Sequence, residues 1–396
     1  MKMEEWKECT LSDLGTIVGG ATPSTKDSSN YENGSIAWIT PKDLSTHTER
    51  FISHGERNIT EKGLKSCSAQ LMPPNSILFT SRAPIGYIAI AKNEVCTNQG
   101  FKSIVPNKDT DFMFLYYLLR YNKDNIENLG SGTTFKEVSG STMRNVPVKV
   151  PPLPIQQKIA AILSSLDDKI ELNNKINTNL EKQAQALFKK AFADKIDNVS
   201  DKDGKTLGSL IDIVDNRGKT PPSSNEKNDF PILDVGALNS TGRIIDYKNC
   251  TKYVDEQTYS TFFRDGHPQE NDILLSTVGS LAQMKFFKGN KGCIAQNVVA
   301  FRTLNTSPFY LYEYLKYIKN DLLAYDIGSV QPSIKVTHII KHLIYIPTND
   351  ELSKFDSFAK SITEEIYNNV CENERLISIR DTLLPKLMNG EILYSN

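Results

Sequence analysis

The sequence predicts an α+β protein in which one unit, a β-rich globular domain followed by a long helix, occurs twice. Short motifs recur in the same order at an offset of about 197 residues, which indicates an internal repeat. In two stretches of similar length, Gly, Pro, Ser and Asn separate short runs of strand-forming residues. A long segment with helical periodicity follows each stretch. These observations favour a pseudo-twofold chain of two globular domains and two helices.

The repeat sets the predicted domain boundaries. The clearest matches join residues 75–81 to 271–277, 96–99 to 293–296 and 112–118 to 309–315. Matches that keep their order are hard to obtain by chance, and small changes of offset indicate short insertions in loops. We therefore divide the chain into globular and helical parts that alternate, with bounds 1–152, 153–198, 199–348 and 349–396.

Each globular part is predicted to combine short strands with one helix, a mixture typical of α+β proteins. In the first part we expect strands at 36–39 and 87–91 and a helix at 112–120. In the second part we expect strands at 232–235 and 341–346 and a helix at 309–318.

The long helices are predicted at about 155–193, after Pro151-Pro152-Leu153-Pro154, and at about 350–387. Helices of this length need a partner helix, because one small domain cannot cover them. Positions seven apart are apolar except for one Asn in each helix: Ile159, Leu166, Asn173, Leu180 and Leu187, and Phe355, Ile362, Asn369, Leu376 and Leu383.

Asn173 and Asn369 each stand third of five in these series. An Asn buried in a coiled-coil seam lowers stability but fixes the register, and we expect this role for both. Asn173 can hydrogen-bond Asn369 if the helices pair. The residues alone do not choose between parallel and antiparallel pairing, and asparagines facing solvent are the alternative.

Composition excludes several classes of protein. Hydrophobic residues make up 39% and charged residues 23%, which is ordinary for a core-forming protein. The apolar run at 159–163 is too short to cross a bilayer and residues 1–7 contain no apolar signal core, so we expect a cytoplasmic protein without a membrane partner. The six cysteines lack zinc-site spacing, and we expect reduced thiols.

Three motifs resemble one family. Residues 129–136 and 146–160, the second containing Pro151-Pro152-Leu153-Pro154 and Gln156-Gln157, resemble the junction in specificity subunits of type I restriction–modification systems. Residues 380–392 are similar to the C-terminus of that family. The chain departs from the pattern at Ile155, where the family usually has Glu, and at 347–351.

The resemblance implies that each globular part is a target-recognition domain reading one half of a split DNA site. It implies that the helices form an antiparallel coiled coil whose length sets the gap between the half-sites. The implied partners are double-stranded DNA, two modification (adenine methyltransferase) subunits docked on the helices, and restriction (translocase) subunits. Methyl transfer and DNA cleavage would belong to these partners, so the chain itself is expected to be no enzyme and to need no cofactor.

Matched loops of the two domains are the candidate DNA contacts, because copies that share a binding mode should face equivalent half-sites. The loops are 19–26 with 216–223, 80–84 with 276–280, 97–100 with 295–297, and 130–136 with 328–335. The candidates in the first domain are Thr22, Ser24, Lys26, Ser81, Arg82, Asn98, Gln99, Ser131, Thr133, Thr134 and Lys136. Those in the second are Arg217, Lys219, Thr220, Ser276, Thr277, Gln296, Ser329, Gln331 and Lys335.

Residue type predicts the role of each candidate. Lysines and arginines suit phosphates, and Arg82 and Arg217 could also read guanine through paired N–H groups. Gln331 suits adenine, and the hydroxyls suit phosphate oxygens. Asn98-Gln99 and Gln296-Asn297 have an alternative role, which is to cross-link turns inside their own domain. Because most loop residues differ between the domains, we expect an asymmetric site.

Other chemistry lacks its motifs. No Pro-Pro pair belongs to the Asn/Asp-Pro-Pro-aromatic loop of adenine methyltransferases, which argues against a self-contained methyltransferase. His338 and His342 have helical chelating spacing but no evident third ligand, so we expect no metal site. The competing class is a two-lobed protein-interaction scaffold that does not read DNA. The net charge of −1 supports it, because nucleic-acid binders usually carry a basic excess.

Overall fold

A computed structural model describes residues 6–132, 136–199, 205–289, 291–294, 296–328 and 330–392 of the chain. The chain forms two compact units. The first unit consists of residues 1–171 and 375–396, and the second of residues 172–374. Each unit therefore contains one globular part, the beginning of one long helix and the end of the other.

The first unit contains two sheets and a separate strand pair in its described residues. Their orders are β2-β9-β6-β7-β4, β5-β3-β8 and β1-β10. The strands are β1 (Lys7–Thr10), β2 (Gly15–Gly19), β3 (Ile36–Ile39), β4 (Phe51–Ile52), β5 (Arg57–Ile59), β6 (Ile77–Ser81), β7 (Ile85–Ala91), β8 (Val95–Thr97), β9 (Lys102–Pro106) and β10 (Pro147–Val150). The helices are α1 (Leu11–Leu14), α2 (Pro41–Ser45), α3 (Glu61–Lys65), α4 (Phe112–Tyr121), α5 (Lys123–Asn128), α6 (Gly140–Arg144), the start of α7 (Leu153–Asp197) and a 3-10 turn at Ser28–Asn30.

The core of the first unit follows from the alternation of side chains along β6. Ile77 and Phe79 point to the face that α4 covers, while Leu78 points to the opposite face. Both faces are buried, so this strand is apolar throughout its first three residues. Residues Ile159 and Leu384 of the long helices join the α4-side core, so the helix ends are part of the domain's hydrophobic interior.

The second unit repeats this plan with fewer regular strands. Its described sheets have the orders β12-β15-β13-β14 and β11-β16. The strands are β11 (Lys205–Thr206), β12 (Ile211–Val214), β13 (Ile273–Ser276), β14 (Met284–Phe286), β15 (Val298–Thr303) and β16 (Leu343–Ile344). The helices are α8 (Val235–Leu238), α9 (Glu256–Thr261), α10 (Pro308–Tyr317), α11 (Lys319–Leu323), α12 (Val336–Ile339), α13 (Asn349–Met388), which ends in the first unit, and 3-10 turns at Leu207–Ser209 and Tyr247–Asn249.

The same side-chain alternation occurs in β13. Ile273 and Leu275 pack on the α10 side, and Leu274 packs on the other. Ile77 of β6 lies opposite Ile90 in an antiparallel pair, and Ile273 of β13 lies opposite Phe286 in the same way. The predicted α+β fold and the internal repeat are thus confirmed in three dimensions.

Two predicted strands are shorter than expected. In 232–235 only Ile232 makes a bridge, to Cys293, because the Asp234 side chain accepts a hydrogen bond from the Gly236 N–H and starts α8. In 341–346 only Leu343–Ile344 is strand.

The two long helices contact each other in both units, and in the second unit their contacts show that they pair antiparallel. In the first unit the Arg380 guanidinium contacts the Asp167 carboxylate at 2.6 Å. In the second unit Lys195 pairs with Glu351, and Asn177 with Asn369, so residue numbers fall along α13 as they rise along α7. The structure therefore settles the pairing direction that the residues left open.

The strict seven-residue series fails at its last member in α7. Leu187 is 38% exposed, and Phe188 takes its place in the core at 1% exposed. A straight helix has 3.6 residues per turn, so a seven-residue series rotates away from the seam by about 20° per repeat. By the fifth position the neighbouring residue faces inward instead.

The central asparagines are buried, but they do not bond each other, which corrects our expectation. The Asn173 amide Nδ2 donates to Asn373 Oδ1 at 2.9 Å, and the Asn369 Nδ2 donates to Asn177 Oδ1 at 2.8 Å. Asn373 Nδ2 donates in turn to Asn174 Oδ1. The predicted pairing was displaced by one helical turn, because the heptad positions do not reveal the axial offset of two antiparallel helices.

Candidate nucleic-acid interface

The candidate loops of the first unit are joined by backbone hydrogen bonds. The N–H of Ala21 donates to the Thr97 carbonyl at 2.9 Å, and the Ser81 N–H donates to the Gly100 carbonyl at 2.7 Å. The Val138 N–H donates to the Ser81 carbonyl at 2.9 Å. We name the resulting surface the first loop cluster, which comprises the described residues of 19–26, 80–84, 97–100 and 130–138.

The second unit joins its loops in the same way. The Thr277 N–H donates to the Asn297 carbonyl at 2.9 Å, and the Ile334 N–H donates to the Thr277 carbonyl at 2.8 Å. The Gly279 N–H also donates to the Pro332 carbonyl at 3.0 Å. We name this surface the second loop cluster, which comprises the described residues of 215–223, 276–280, 296–297 and 328–335.

A side-chain bond between the first and third loops is also common to both clusters. The Thr22 hydroxyl donates to Gln99 Oε1, and the Gln296 amide Nε2 donates to the Thr220 hydroxyl. These bonds bear out the alternative in which the glutamines cross-link turns of their own domain. The loops approach so closely that a Cβ atom on Gly20 would lie 2.0 Å from the Asn98 carbonyl oxygen, so this position requires glycine.

Three of the expected contacts lie inside the protein, and for them the expectation of DNA contact is wrong. Ser81, Ser276 and Thr277 have no exposed surface. The hydroxyl of Ser81 donates to the Gly100 carbonyl at 3.2 Å, and that of Ser276 donates to the Ser280 carbonyl at 2.5 Å. A hydroxyl in this position cannot reach a phosphate. The backbone groups of Ser81 and Thr277 instead hold the loops together.

The other described candidates lie at the surface. Arg82, Asn98 and Arg217 are half-buried, and the Asn98 side chain accepts a hydrogen bond from the Gly100 N–H at 2.9 Å. The exposed candidates are Thr22, Ser24, Lys26, Gln99, Ser131, Lys136, Lys219, Thr220, Gln296, Gln331 and Lys335. Thr133, Thr134 and Ser329 lie outside the described residues.

Both half-buried arginines are next to a carboxylate. Arg82 Nη1 lies 3.5 Å from Glu137 Oε2, and the same carboxylate lies 3.7 Å from Lys102 Nζ. Arg217 Nε donates to Asp215 Oδ1 at 2.7 Å. Burial alone would raise the pKa of Asp215, but hydrogen bonds from Arg217 outweigh it and lower that pKa, so the carboxylate is charged at neutral pH.

Comparisons with known proteins identify the family of the chain. The family model described as "Type I restriction modification DNA specificity domain" matches residues 3–182 and again residues 200–371. The chain belongs to this family.

Relatives named as specificity subunits match this chain over nearly its whole length. The MjaIX specificity subunit of Methanocaldococcus jannaschii is 34% identical, over 98% of this chain and 94% of its own length. The HindI specificity subunit of Haemophilus influenzae is 25% identical, over 98% of this chain and 100% of its own. The crystal structure of an S subunit from M. genitalium has a TM-score of 0.60 at 18% identity, covering 96% of both chains, which supports the fold.

For a member of the specificity family, the structure adds residues that the sequence did not single out. Glu137 and Asp215 were missed because an acidic side chain is not an obvious feature of a DNA-contact surface. Lys102 and Arg144 were also missed, although both lie within 4 Å of a Cβ built on Gly140, beside the first loop cluster. Lys102 and Arg144 become candidates because the fold brings them close to the first loop cluster, although they are not part of its loops in the sequence.

A metal site at His338 and His342 and a membrane-spanning helix are two further possibilities that the described residues allow us to examine. The described residues contain no group of three or more His, Cys, Asp or Glu side chains placed to hold a metal ion. His342 Nδ1 instead lies 3.0 Å from the Tyr325 hydroxyl. No described helix combines the length and the apolar character needed to cross a membrane.

One apolar groove lies on the helix pair of the second unit. It has a volume of about 390 Å³ and is lined by Leu187, Ala191, Phe192, Glu351, Lys354, Phe355 and Phe358. Leu187 and Phe358 are 38% and 40% exposed, so the groove presents apolar side chains to solvent. An exposed apolar groove of this kind is compatible with contact to another protein.

Proposed function

We propose that this chain is the DNA-recognition subunit of a type I restriction–modification complex and reads a split, asymmetric site with one domain for each half-site. One observation carries the proposal: two loop clusters share one hydrogen-bond frame but carry different side chains. The shared frame indicates one way of approaching a duplex. The different side chains indicate two different half-sites, because sequence is read by contacts to base edges.

The two arginines that could read a base edge are among the side chains that differ between the clusters. Arg82 corresponds to Val278 in the second cluster, and Arg217 corresponds to Gly19 in the first. A true dimer would place identical side chains at both tips and would read a palindrome. In this proposal the domains occupy residues 1–152 and 199–348, and the helical parts occupy 153–198 and 349–396.

The chemistry belongs to partners in this proposal. Two modification subunits dock on the long helices, and the apolar groove around Leu187 and Phe358 is one such docking surface. Restriction subunits join them and supply translocation and cleavage. The net charge of −1 favours this division, because phosphate neutralisation supplies much of the affinity for DNA and the partners would contribute it.

The test is a domain exchange followed by methylation-site sequencing of a host that carries the system. Replacing residues 1–152 with the corresponding domain of another family member should change one half of the methylated sequence and leave the other half and the gap unchanged. A change in both halves, or in neither, would contradict the proposal.

A binding assay on the complex with modification subunits provides the control. We expect sequence-specific duplex binding that weakens as salt increases, because counterions are released on phosphate contact. If the complex binds all duplexes alike, the result favours the competing hypothesis, a two-lobed protein-interaction scaffold that does not read DNA.

A further inference from the structure

The two loop clusters carry an arginine–carboxylate pair on different loops. In the first cluster Arg82 lies on the second loop and its partner Glu137 follows the fourth. In the second cluster Arg217 and Asp215 both lie on the first loop. Each cluster thus places an oriented guanidinium at its surface, but not at the same point of the shared frame.

The Arg217 pair is the more tightly organised of the two. Arg217 Nε donates to Asp215 Oδ1, and Nη2 donates to Asp215 Oδ2, so the carboxylate grips one edge of the planar guanidinium. The backbone N–H of Arg217 also donates to Asp215 Oδ1 at 3.1 Å. Arg264 Nη2 donates to the Asp215 carbonyl at 3.0 Å, which adds a second contact that fixes the backbone at Asp215.

This grip leaves a defined set of donors. A guanidinium has five N–H groups, and two of them are used by Asp215. The Arg217 side chain is 31% exposed, and among the described residues no acceptor bonds its Nη1 group or the second hydrogen of Nη2, which together form an edge with two parallel donors. Two parallel donors match the O6 and N7 acceptors of guanine in the major groove.

We propose that Arg217 reads a guanine in the half-site of the second domain and that Asp215 is the positioning residue that aims it. This rests on the proposed function and adds a base identity to it. A phosphate contact alone does not account for the pair, because a charged carboxylate beside the arginine weakens its attraction to phosphate. Lys219, two residues further along and exposed, is the phosphate-binding member of the same loop.

The experiment uses the full chain in complex with its modification subunits. The methylated site is first mapped in wild type. Binding is then measured to duplexes in which each guanine of the second domain's half-site is replaced in turn. Wild type should lose roughly 10- to 100-fold in affinity at one guanine.

Three variants separate reading from charge. Arg217→Ala should bind the native and the substituted duplex alike. Arg217→Lys should keep the salt dependence but lose the discrimination, because lysine has no planar pair of donors. Asp215→Asn should reduce discrimination without reducing non-specific affinity, since it removes a negative charge; a merely structural residue would not separate these two measurements.

Arg82→Ala is the matched control, because it should weaken recognition by the first domain and leave discrimination in the other half-site unchanged. If Arg217→Ala keeps the wild-type discrimination at every guanine, or if the half-site contains no guanine, the inference is overturned while the proposed function stands. If Asp215→Asn discriminates as wild type does, the positioning role is overturned. If wild type binds all duplexes alike, both proposals fall.

Discussion

The two globular parts attach to the long helices through an arginine at the same place in the sheet, but the surroundings of the two arginines differ. The Arg50 carbonyl accepts the Ile90 N–H at 2.7 Å, and the Arg243 carbonyl accepts the Phe286 N–H at 2.6 Å. Ile90 and Phe286 occupy matched positions opposite β6 and β13, so the arginines are structural equivalents.

Arg50 bonds two carboxylates that both lie on α7. Its Nε donates to Glu171 Oε1 at 2.9 Å, and Nη2 contacts Asp168, whose side chain is 68% exposed. Water can therefore replace part of this contact. The Arg50–Asp168 contact therefore resembles a surface ion pair, and the Arg50–Glu171 contact resembles a buried one.

Arg243 is completely buried and bonds three elements. It donates to Glu181 of α7 at 2.9 Å, to Glu313 of α10 at 2.8 Å and to Thr363 of α13 at 3.0 Å. Burial raises the pKa of Glu313, while Arg243 opposes that change. The comparison teaches that one repeated arginine position can bond a partly exposed carboxylate in one unit and form a fully interior junction in the other.

The largest expected effect separates these two arginines. Arg243→Ala should destabilise the second unit by about 3–5 kcal/mol, because two carboxylates lose their buried partner. Arg50→Ala should destabilise the first unit by about 1–3 kcal/mol, because Asp168 stays hydrated. Hydrogen exchange measured by mass spectrometry reports on each unit separately.

The matched control replaces Arg243 and both of its carboxylate partners, so that no buried charge is left without a partner. Arg243→Met combined with Glu181→Met and Glu313→Leu should recover most of the lost stability, because a well-packed apolar cluster can replace a buried ion network. Equal losses for Arg50→Ala and Arg243→Ala would show that burial does not distinguish the two junctions.

A smaller effect is expected in the helix pair. Asn173 is completely buried, and Asn173→Ala removes the donor to Asn373, which should lower the free energy of unfolding by about 1–3 kcal/mol. Asn369→Ala should have less effect, because its partner Asn177 is half-buried and can bond to water. Urea unfolding followed by circular dichroism measures both, and a larger loss for Asn369→Ala would contradict this assignment.

The smallest effect concerns the starts of the long helices. Glu351 accepts hydrogen bonds from Lys195 and from the Thr348 N–H and hydroxyl, which lower its pKa from 4.5 to about 2. The corresponding residue of α7 is Ile155, which packs against the core and carries no charge. A carboxylate with a lowered pKa stabilises the fold above pH 4.5 and loses this contribution as the pH falls toward 2.

Glu351→Gln should therefore have a lower free energy of unfolding than wild type at pH 7. The difference should be less than about 1 kcal/mol, because the ion pair is solvent-accessible, and it should shrink at pH 3. Thermal unfolding at the two pH values measures it. Ile155→Gln is the control, since its loss of packing should be the same at both pH values. If the loss of stability in Glu351→Gln is the same at both pH values, the charge of Glu351 does not cause it, and the prediction is contradicted.

Much of the architecture could be predicted because it is repeated. Two copies of a motif at constant offset predict two similar folds, and the long Pro- and Gly-free segment of α7 predicts a helix. The strand predicted at 232–235 does not form beyond Ile232, because Asp234, a good cap, starts a helix there. The exposure of Leu187 was missed because a seven-residue pattern ignores the rotation of a straight helix.

The candidate interface was predicted in its loops but not in all of its side chains. Loop residues that match between the copies predicted four segments in each domain, and the structure joins these segments by hydrogen bonds in both units. Ser81, Ser276 and Thr277 were misassigned because the sequence does not show which strand-end residues point inward. Asp215 was overlooked because its importance depends on the bond to Arg217, which only a structure displays.

The sequence by itself determined the duplicated α+β plan, the two long helices and the loops that carry the differences between the copies. These depend on local propensity and periodicity, which each segment carries with it. Only the tertiary structure decided the antiparallel direction, the Asn173–Asn373 alignment and the different settings of Arg50 and Arg243. Those features join residues far apart in the chain, and their energies depend on burial and hydrogen-bond geometry that no local pattern encodes.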